Sequence, residues 1–309
     1  MTNMRALIGG SGAPLLVSAP LPEAGPGQVR VKVAAAGVNP FDLAVAAGAL
    51  ASYGLARKLD SYGIGFDAAG TVDQVGPGTS FTVGEDVVGL SARLELPYKA
   101  QAEYVVLDAP AVARAPRNVS PAHASTLPLN GLTAWQALDR TGVGPGGTLL
   151  VTGAAGAVGG YLVELAAVRG VKVVAAAGAA DEELVRGFGA EWFVPREEDL
   201  AEGVRARVPG GVDAVVDAAV LGLPALDAVR DGGTFVGLTS GAAPVPLRGT
   251  DVATVLFRSD AGQLAELVRL VEAGRLTLRV ADTYPLEKAA DAHARLAEGG
   301  LRGRLVLVP

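Results

Sequence analysis

The run Thr152-Gly153-Ala154-Ala155-Gly156-Ala157-Val158-Gly159 has the residue types and spacing needed to hold a phosphate-bearing ligand. An apolar, strand-like segment, TLLVTG, leads into it, and a helical segment, YLVELAAVRG, leads out. Small side chains let the backbone turn tightly and approach a pyrophosphate. The start of the helix then offers N–H groups and the positive end of its dipole. The core spells A-x-G-x-x-G, with Ala154 where the first glycine of the dinucleotide fingerprint often stands. In a chain with 42 glycines, a glycine triplet alone serves equally well as a structural turn in some other α/β protein. The strand–turn–helix context favours a dinucleotide. Gly153, Ala154, Ala155, Gly156, Ala157 and Val158 are the candidate pyrophosphate contacts.

The next strand, VKVVAAAG, ends at Gly178 and bears on the choice of cofactor. An acid that accepts from the ribose 2′-hydroxyl is expected about 20 residues past the turn in NAD-binding chains. Here that region is Ala175-Ala176-Ala177-Gly178-Ala179-Ala180, with no acid. Asp181, Glu182 and Glu183 follow it and read as a negatively charged first helical turn, with Asp181 as N-cap. The missing acid favours NADP over NAD, and Arg186 is the cation nearest to the loop.

Other chemistry is excluded or weak. The chain has no cysteine, which removes disulfides, thiolate metal sites and cysteine nucleophiles. With only His123 and His293, no metal site is expected. Tyr53 and Tyr62, in SYGLARKLDSYG, are candidate proton or hydrogen-bond donors and equally candidate packing residues. No Ser–His–Asp set or pair of catalytic carboxylates stands out. A net charge of −6 without a long basic run argues against nucleic-acid or anionic-membrane partners. No uninterrupted apolar stretch of about 20 residues appears, and the N-terminal residues lack a secretory pattern. A cytoplasmic location is the expectation.

The elements that must hold these residues fall into two patterns. Residues 1–114 read as short strands and turns: MRALIGG, QVRVKVAAAGV, AAGTVDQVG and EYVVLDA, punctuated by Gly25-Pro26-Gly27 and Gly76-Pro77-Gly78. That predicts a small β-barrel or sandwich. SPAHASTLPLNGLTAWQALDRTG reads as one helical segment. TLLVTG, VKVVAAAG, EWFV, DAVVDAAV and GGTFVGL then alternate with helical stretches, which predicts a doubly wound parallel sheet. AGQLAELVRLVEAGRL and AADAHARLAEGG read as amphipathic helices, and RGRLVLVP as a closing strand. These last residues are placed back with the first pattern.

Several segments together resemble the zinc-free, quinone oxidoreductase-like (zeta-crystallin-like) branch of the medium-chain dehydrogenase/reductase superfamily. They include AAGVNPFD, GFDAAGTVDQVGPG, GEDVVGL, AEYVV, LPLNGLTAWQAL, TGAAGAVG, FGAE, PLEKAADAHARL and AEGGLRGRLVLV, in the family's order along nearly the whole chain. The resemblance implies a GroES-like catalytic domain over residues 1–118 and 257–309, a Rossmann domain over 119–256, an active site between them, and a homodimer. It carries residue roles as well. Asn39, in VNPFD, is similar to the family asparagine near the nicotinamide, and reads equally as a turn residue before Pro40. Asp42 is similar to the acid that follows, and reads equally as a helix cap. Asn130 and Thr133, in NGLTA, fall on the cofactor side. So do Gly178, Ala218 and the strand-end residues Gly237, Leu238 and Thr239. Phe257 and Arg258 resemble the segment that returns to the catalytic domain. Arg302 and Arg304 resemble a terminal motif, with cofactor contact and solvated structure both open. His123 and His293 are read as structural.

The sequence departs from the family at Ala46-Ala47-Gly48, at Glu85, before Ala102-Glu103-Tyr104, and at Pro195, where NADP-binding relatives often place a tyrosine. The activity implied is NADPH-dependent hydride transfer to a quinone or an enone C=C bond. The alternatives are a reductase of polyketide-like or acyl-thioester intermediates, and a non-catalytic dinucleotide-binding protein.

Overall fold

The computed structural model describes residues 2–10, 12–239 and 241–309. The chain divides into two compact units, residues 1–129 with 258–309, and residues 130–257. The second unit carries a six-stranded sheet in which every neighbouring pair is parallel. Its strands are Thr148–Thr152, Lys172–Ala177, Trp192–Pro195, Val212–Asp217, Val229–Gly237 and Asp251–Thr254. Named one to six along the chain, they lie in the order 3-2-1-4-5-6. This is the doubly wound arrangement, in which strand order reverses beside the first strand. Leu150, Val174, Val194, Val215 and Phe235 are buried at its core, as near-continuous apolar runs in a two-sided parallel sheet require.

The sixth strand, Asp251–Thr254, was not foreseen. Its residues are exposed or half-buried and, among the described residues, it pairs on one side only, so it lacks the apolar run that marks its neighbours.

The first unit is antiparallel except for one pair. Strand Gln28–Val38 is its hub. It pairs with Asp67–Val75, Tyr104–Asp108 and the C-terminal strand Arg304–Val308. Val29, Val31 and Val33 alternate into the core while their neighbours face outward. The C-terminal segment belongs to the first unit and adds helices Ala261–Glu272 and Ala289–Ala297 to it.

The predicted single helix over residues 120–142 is interrupted. A short helix, Pro121–Ala124, ends where the Ser125 and Thr126 hydroxyls bond back to the Ala122 and His123 carbonyls. A second helix, Pro128–Thr141, restarts at a proline, which has no N–H to continue the first ladder. Among the described residues, no helix is long and apolar enough to cross a membrane.

Candidate active site

In the second unit, the glycine turn leaves the first strand at the point where strand order reverses. Gly153 adopts a left-handed φ of +59°, which favours glycine. Gly156 is the N-cap of helix Ala157–Val168, with extended backbone that any residue can take. A Cβ on Gly156 would have one close neighbour, the Gly153 carbonyl oxygen at 3.1 Å. A Cβ on Gly159 would lie 2.1 Å from that oxygen and 2.8 Å from Ala154 Cα. Gly159 thus lets the helix sit against the turn, whereas Gly156 keeps the face of the turn open.

The carboxyl end of the fourth strand is tied to this turn. Thr152 Oγ1 donates to Asp217 Oδ1 (2.6 Å) and accepts from the Ala219 N–H (3.0 Å), while Asp217 Oδ2 accepts from the Gly222 N–H (2.8 Å). Beside them lies a cavity of about 640 Å³, lined by Thr152, Gly153, Ala177, Pro195, Arg196 and Ala219 among others.

Arg196 was missed in the sequence reading. It follows Pro195 at the end of the third strand, where a single arginine in a charged loop gives no periodic signal. Its backbone N–H bonds to the Ala177 carbonyl. Its guanidinium nitrogen stands 4.0 Å from where a Gly178 Cβ would be, and Asp181 Oδ2 stands 3.3 Å from the same point. Arg186, the cation picked from sequence, is instead held on its own helix by Glu182 (2.8 Å) and by the Glu191 carbonyl. Asp181 occupies the N-cap position of helix Glu182–Gly187 but makes no side-chain cap there, and its carboxylate turns toward Gly178.

In the first unit, Asn39 ends the hub strand and caps helix Pro40–Ala46, and it is fully buried. Its backbone N–H donates to Asp42 Oδ2 (2.8 Å), and its carboxamide nitrogen to Asp67 Oδ2 (2.6 Å), with Asp42 Oδ2 at 3.4 Å. Asp42 Oδ1 accepts from the Gly65 N–H (3.0 Å), and Asp67 Oδ1 from the Leu129 N–H (2.6 Å). Lys99 is buried with them, its Nζ 3.2 Å from the centroid of the Phe66 ring. Gly63 and Gly65 make this possible, because a Cβ on either would overlap the backbone of residues 98–101.

Burial pushes Asp42 up to about 7, opposed by the Asn39 N–H and the Lys99 charge. Burial also pushes Asp67 up to about 6, opposed by the Leu129 N–H, the Asn39 carboxamide, and the Arg304 and Lys99 charges. Lys99 is pulled down to about 7 by burial, against the attraction of Asp42 and Asp67. Neither Asp67 nor Lys99 was singled out from sequence. Asp67 is a lone charge in the apolar run GFDAAG, Lys99 stands among the polar residues of YKAQAEY with no periodic signal, and only the approach of these segments reveals them.

The remaining candidates lie as follows. Tyr53 is 58% exposed in the turn after helix Pro40–Ala46. Tyr62 is buried, and its hydroxyl accepts from the Leu59 N–H and donates to the Arg57 carbonyl, so it pins that loop. Asn130 is buried and Thr133 half-buried on helix Pro128–Thr141. Ala218 follows the fourth strand, and Gly237, Leu238 and Thr239 lie at and beyond the end of the fifth. Phe257 and Arg258 are the two residues on either side of the boundary between units. Arg302 is exposed, with a guanidinium nitrogen on the Gly300 carbonyl (3.1 Å). Arg304 is buried in the C-terminal strand. His123 is exposed against Ser120. His293 is buried, with Nε2 on Gln101 Oε1 (3.2 Å), and burial pulls it down to about 4, so it is neutral.

Comparison with known proteins identifies the family. The model described as "Alcohol dehydrogenase GroES-like domain" matches residues 25–117, and the one described as "Zinc-binding dehydrogenase" matches residues 188–307. The chain is 30% identical to the chloroplast envelope quinone oxidoreductase homolog of Arabidopsis thaliana, over 95% of this chain and 93% of that protein. The chain belongs to the medium-chain dehydrogenase/reductase superfamily. Within it, the chain falls in the quinone oxidoreductase-like branch and is an oxidoreductase. It is 31% identical to the chloroplastic NADPH-dependent alkenal/one oxidoreductase of Arabidopsis thaliana, over 94% of this chain and 74% of that one. The solved quinone oxidoreductase of Coxiella burnetii superposes with a TM-score of 0.87 at 27% identity, over all of both chains.

Members of this superfamily use a nicotinamide dinucleotide, and the glycine turn fits one. It has an open face at Gly156, a helix N-terminus behind it and a cavity beside it. Zinc, named in the description of one matched model, fits poorly. The chain has no cysteine, and among the described residues no group of three or more His, Asp or Glu side chains could hold a metal.

Proposed function

We propose that this oxidoreductase uses NADPH to reduce a quinone or the electron-poor C=C bond of an enone, and that it does so without zinc. The reading is carried by a dinucleotide turn in a chain whose donor set offers no Lewis acid. When bound, the nicotinamide supplies a hydride. Alcohol oxidation would need a stabilised alkoxide, and no cluster of metal-holding side chains is available for that among the described residues. An enone spreads the incoming charge onto its own oxygen, where one or two hydrogen bonds suffice. The names of the relatives, a quinone oxidoreductase homolog and an alkenal/one oxidoreductase, support the same class.

The chain's own residues bind and orient. Gly153 to Val158 seat the pyrophosphate on N–H groups at the helix start. Asn39 is assigned its role by resemblance to the family asparagine near the nicotinamide. Its carboxamide nitrogen faces carboxylates, so its contribution is placement, not donation to the substrate oxygen. Tyr53 is too exposed to hold a proton in a water-excluded position, and solvent protonates the enolate carbon. NADPH is preferred because no acid stands at residues 175–180 and because Arg196, near Gly178 at the end of the second strand, lines the cavity beside the turn and can pair with a 2′-phosphate. The preference is modest, since Asp181, Glu198 and Asp199 are close by. A homodimer is the proposed assembly, supported by the open outer edge of strand Asp251–Thr254.

The test is NADPH consumption by chelator-treated protein with a panel of enones, quinones and enoyl thioesters, beside oxidation of simple primary alcohols. Turnover of a quinone or enone with none of the alcohols is expected. Efficient alcohol oxidation with no NADPH consumption, or cofactor binding with no turnover at all, would overturn the proposal.

A further inference from the structure

Asp42 and Asp67 use all four of their carboxylate oxygens as acceptors. The donors are the Gly65 and Asn39 N–H groups for Asp42, and the Leu129 N–H and the Asn39 carboxamide for Asp67. Hydrogen bonds accepted by all four oxygens favour the ionised form of both groups. Yet both are fully buried, and two carboxylates in one dry site repel each other. The arrangement calls for a buried cation.

Two cations act on the pair. Arg304, from the C-terminal strand, acts on Asp67, and Lys99 acts on both. His293, the buried titratable group on helix Ala289–Ala297, bonds to Gln101 and is neutral, while Asp291 of that helix is exposed and Arg295 half-buried. Lys99 Nζ makes no hydrogen bond among the described residues, and it rests on the face of the Phe66 ring at 3.2 Å. A π face and two nearby carboxylates, with no acceptor to satisfy a neutral amine, form a seat for an ammonium ion.

We propose that Lys99 is a positioning residue: its ammonium keeps Asp42 and Asp67 ionised together and thereby fixes the Asn39 carboxamide for the reaction. The inference rests on the proposed role of Asn39 in the reaction, and its test separates the two ideas. In Lys99→Met the charge is gone while much of the stem remains. Arg304 still acts on Asp67, whereas Asp42 loses the Lys99 charge and takes up a proton at higher pH. The donor-to-acceptor pattern around Asn39 is then broken at neutral pH. Lys99→Arg keeps the charge.

Two pH titrations are run on the full-length protein, wild type and both variants. One follows kcat/KM for a quinone or enone, and the other follows the Asn39 side-chain amide resonances by NMR. In Lys99→Met both midpoints should move upward by about one pH unit. NADPH affinity should change by less than about twofold. Lys99→Arg should stay near wild type. A shift in the amide titration without a shift in kcat/KM would support Lys99 as the group that fixes Asn39 while removing Asn39 from the reaction. Unmoved amide titration in a folded Lys99→Met protein would overturn the proposal.

Should Lys99→Met be too unstable for kinetics, thermal unfolding decides. Its carboxylates bind a proton in the folded state that they release on unfolding. Its deficit against wild type should therefore widen as pH rises from about 5 to about 8. A deficit independent of pH would mark Lys99 as packing only.

Discussion

Gly156 and Gly159 share one turn and do different work. At Gly159 a methyl group would collide with the backbone of the turn itself, so Gly159→Ala should cost about 3 kcal/mol in unfolding free energy, read by denaturant titration. At Gly156 the backbone is extended and only one atom is close, so Gly156→Val should keep most of its stability. Its side chain would occupy the pyrophosphate's place, and NADPH should bind about tenfold more weakly or worse. Equal losses of stability in the two variants would refute this division.

His293 makes a second residue-scale case. Its folded pKa, about 4, lies below the ordinary value of 6.5. Protonation therefore favours the unfolded chain. Stability tied to this group is intact above about 6.5 and falls as pH drops toward 4, by about 3 kcal/mol in all. Comparing wild type with His293→Gln over that range isolates the effect, because the buried carboxylates are common to both. A difference that stays flat with pH would contradict it. The glycine turn was legible in the sequence because close backbone approach leaves a local signature. The partnership of Asn39, Asp67 and Lys99 was not, because it joins three segments that only folding brings together. Arg196 was hidden for the same reason.

Among the elements, those with strong periodicity were read correctly. Helix Ala261–Glu272 buries Leu264, Leu267, Val268 and Val271 on one face, and an Asp260 cap accepts from the Gln263 N–H (2.9 Å). Its last turn is tied to the first unit where Glu272 accepts from the Arg117 N–H and the Val271 carbonyl from Asn118. Leu267→Ala should cost about 3 kcal/mol in unfolding free energy, since the side chain is fully enclosed. NADPH binding should change by less than about twofold, because the helix and the glycine turn belong to different units. The helix expected across residues 120–142 was overextended, because two hydroxyls and Pro128 act locally against an apolar spacing that runs on. Strand Asp251–Thr254 was missed because an edge strand with polar ends needs no apolar run, and its partner in the sheet is what defines it.

At the scale of the whole molecule, a mixed antiparallel unit that holds Asn39 and a parallel unit that holds the glycine turn make up one oxidoreductase. The strand order 3-2-1-4-5-6 puts the turn at the switch point, where such sheets bind their ligands. The alternation of strands and helices made that order foreseeable, whereas the substrate depends on side chains that no periodicity reports. In the proposed chemistry, hydride moves from the cofactor to the β-carbon of an enone, and solvent supplies the other hydrogen. Tyr53→Phe should accordingly change kcat by less than about twofold, since an exposed phenol adds little to water as a proton source. The most direct measurement is isotopic. Chelator-treated protein is given a simple enone and NADPH carrying deuterium at the transferable C4 position, and the product is read by mass spectrometry and NMR. The account predicts one deuterium at the β-carbon and a solvent-derived hydrogen at the α-carbon. Product without deuterium at the β-carbon, or no product until zinc is restored, would contradict it.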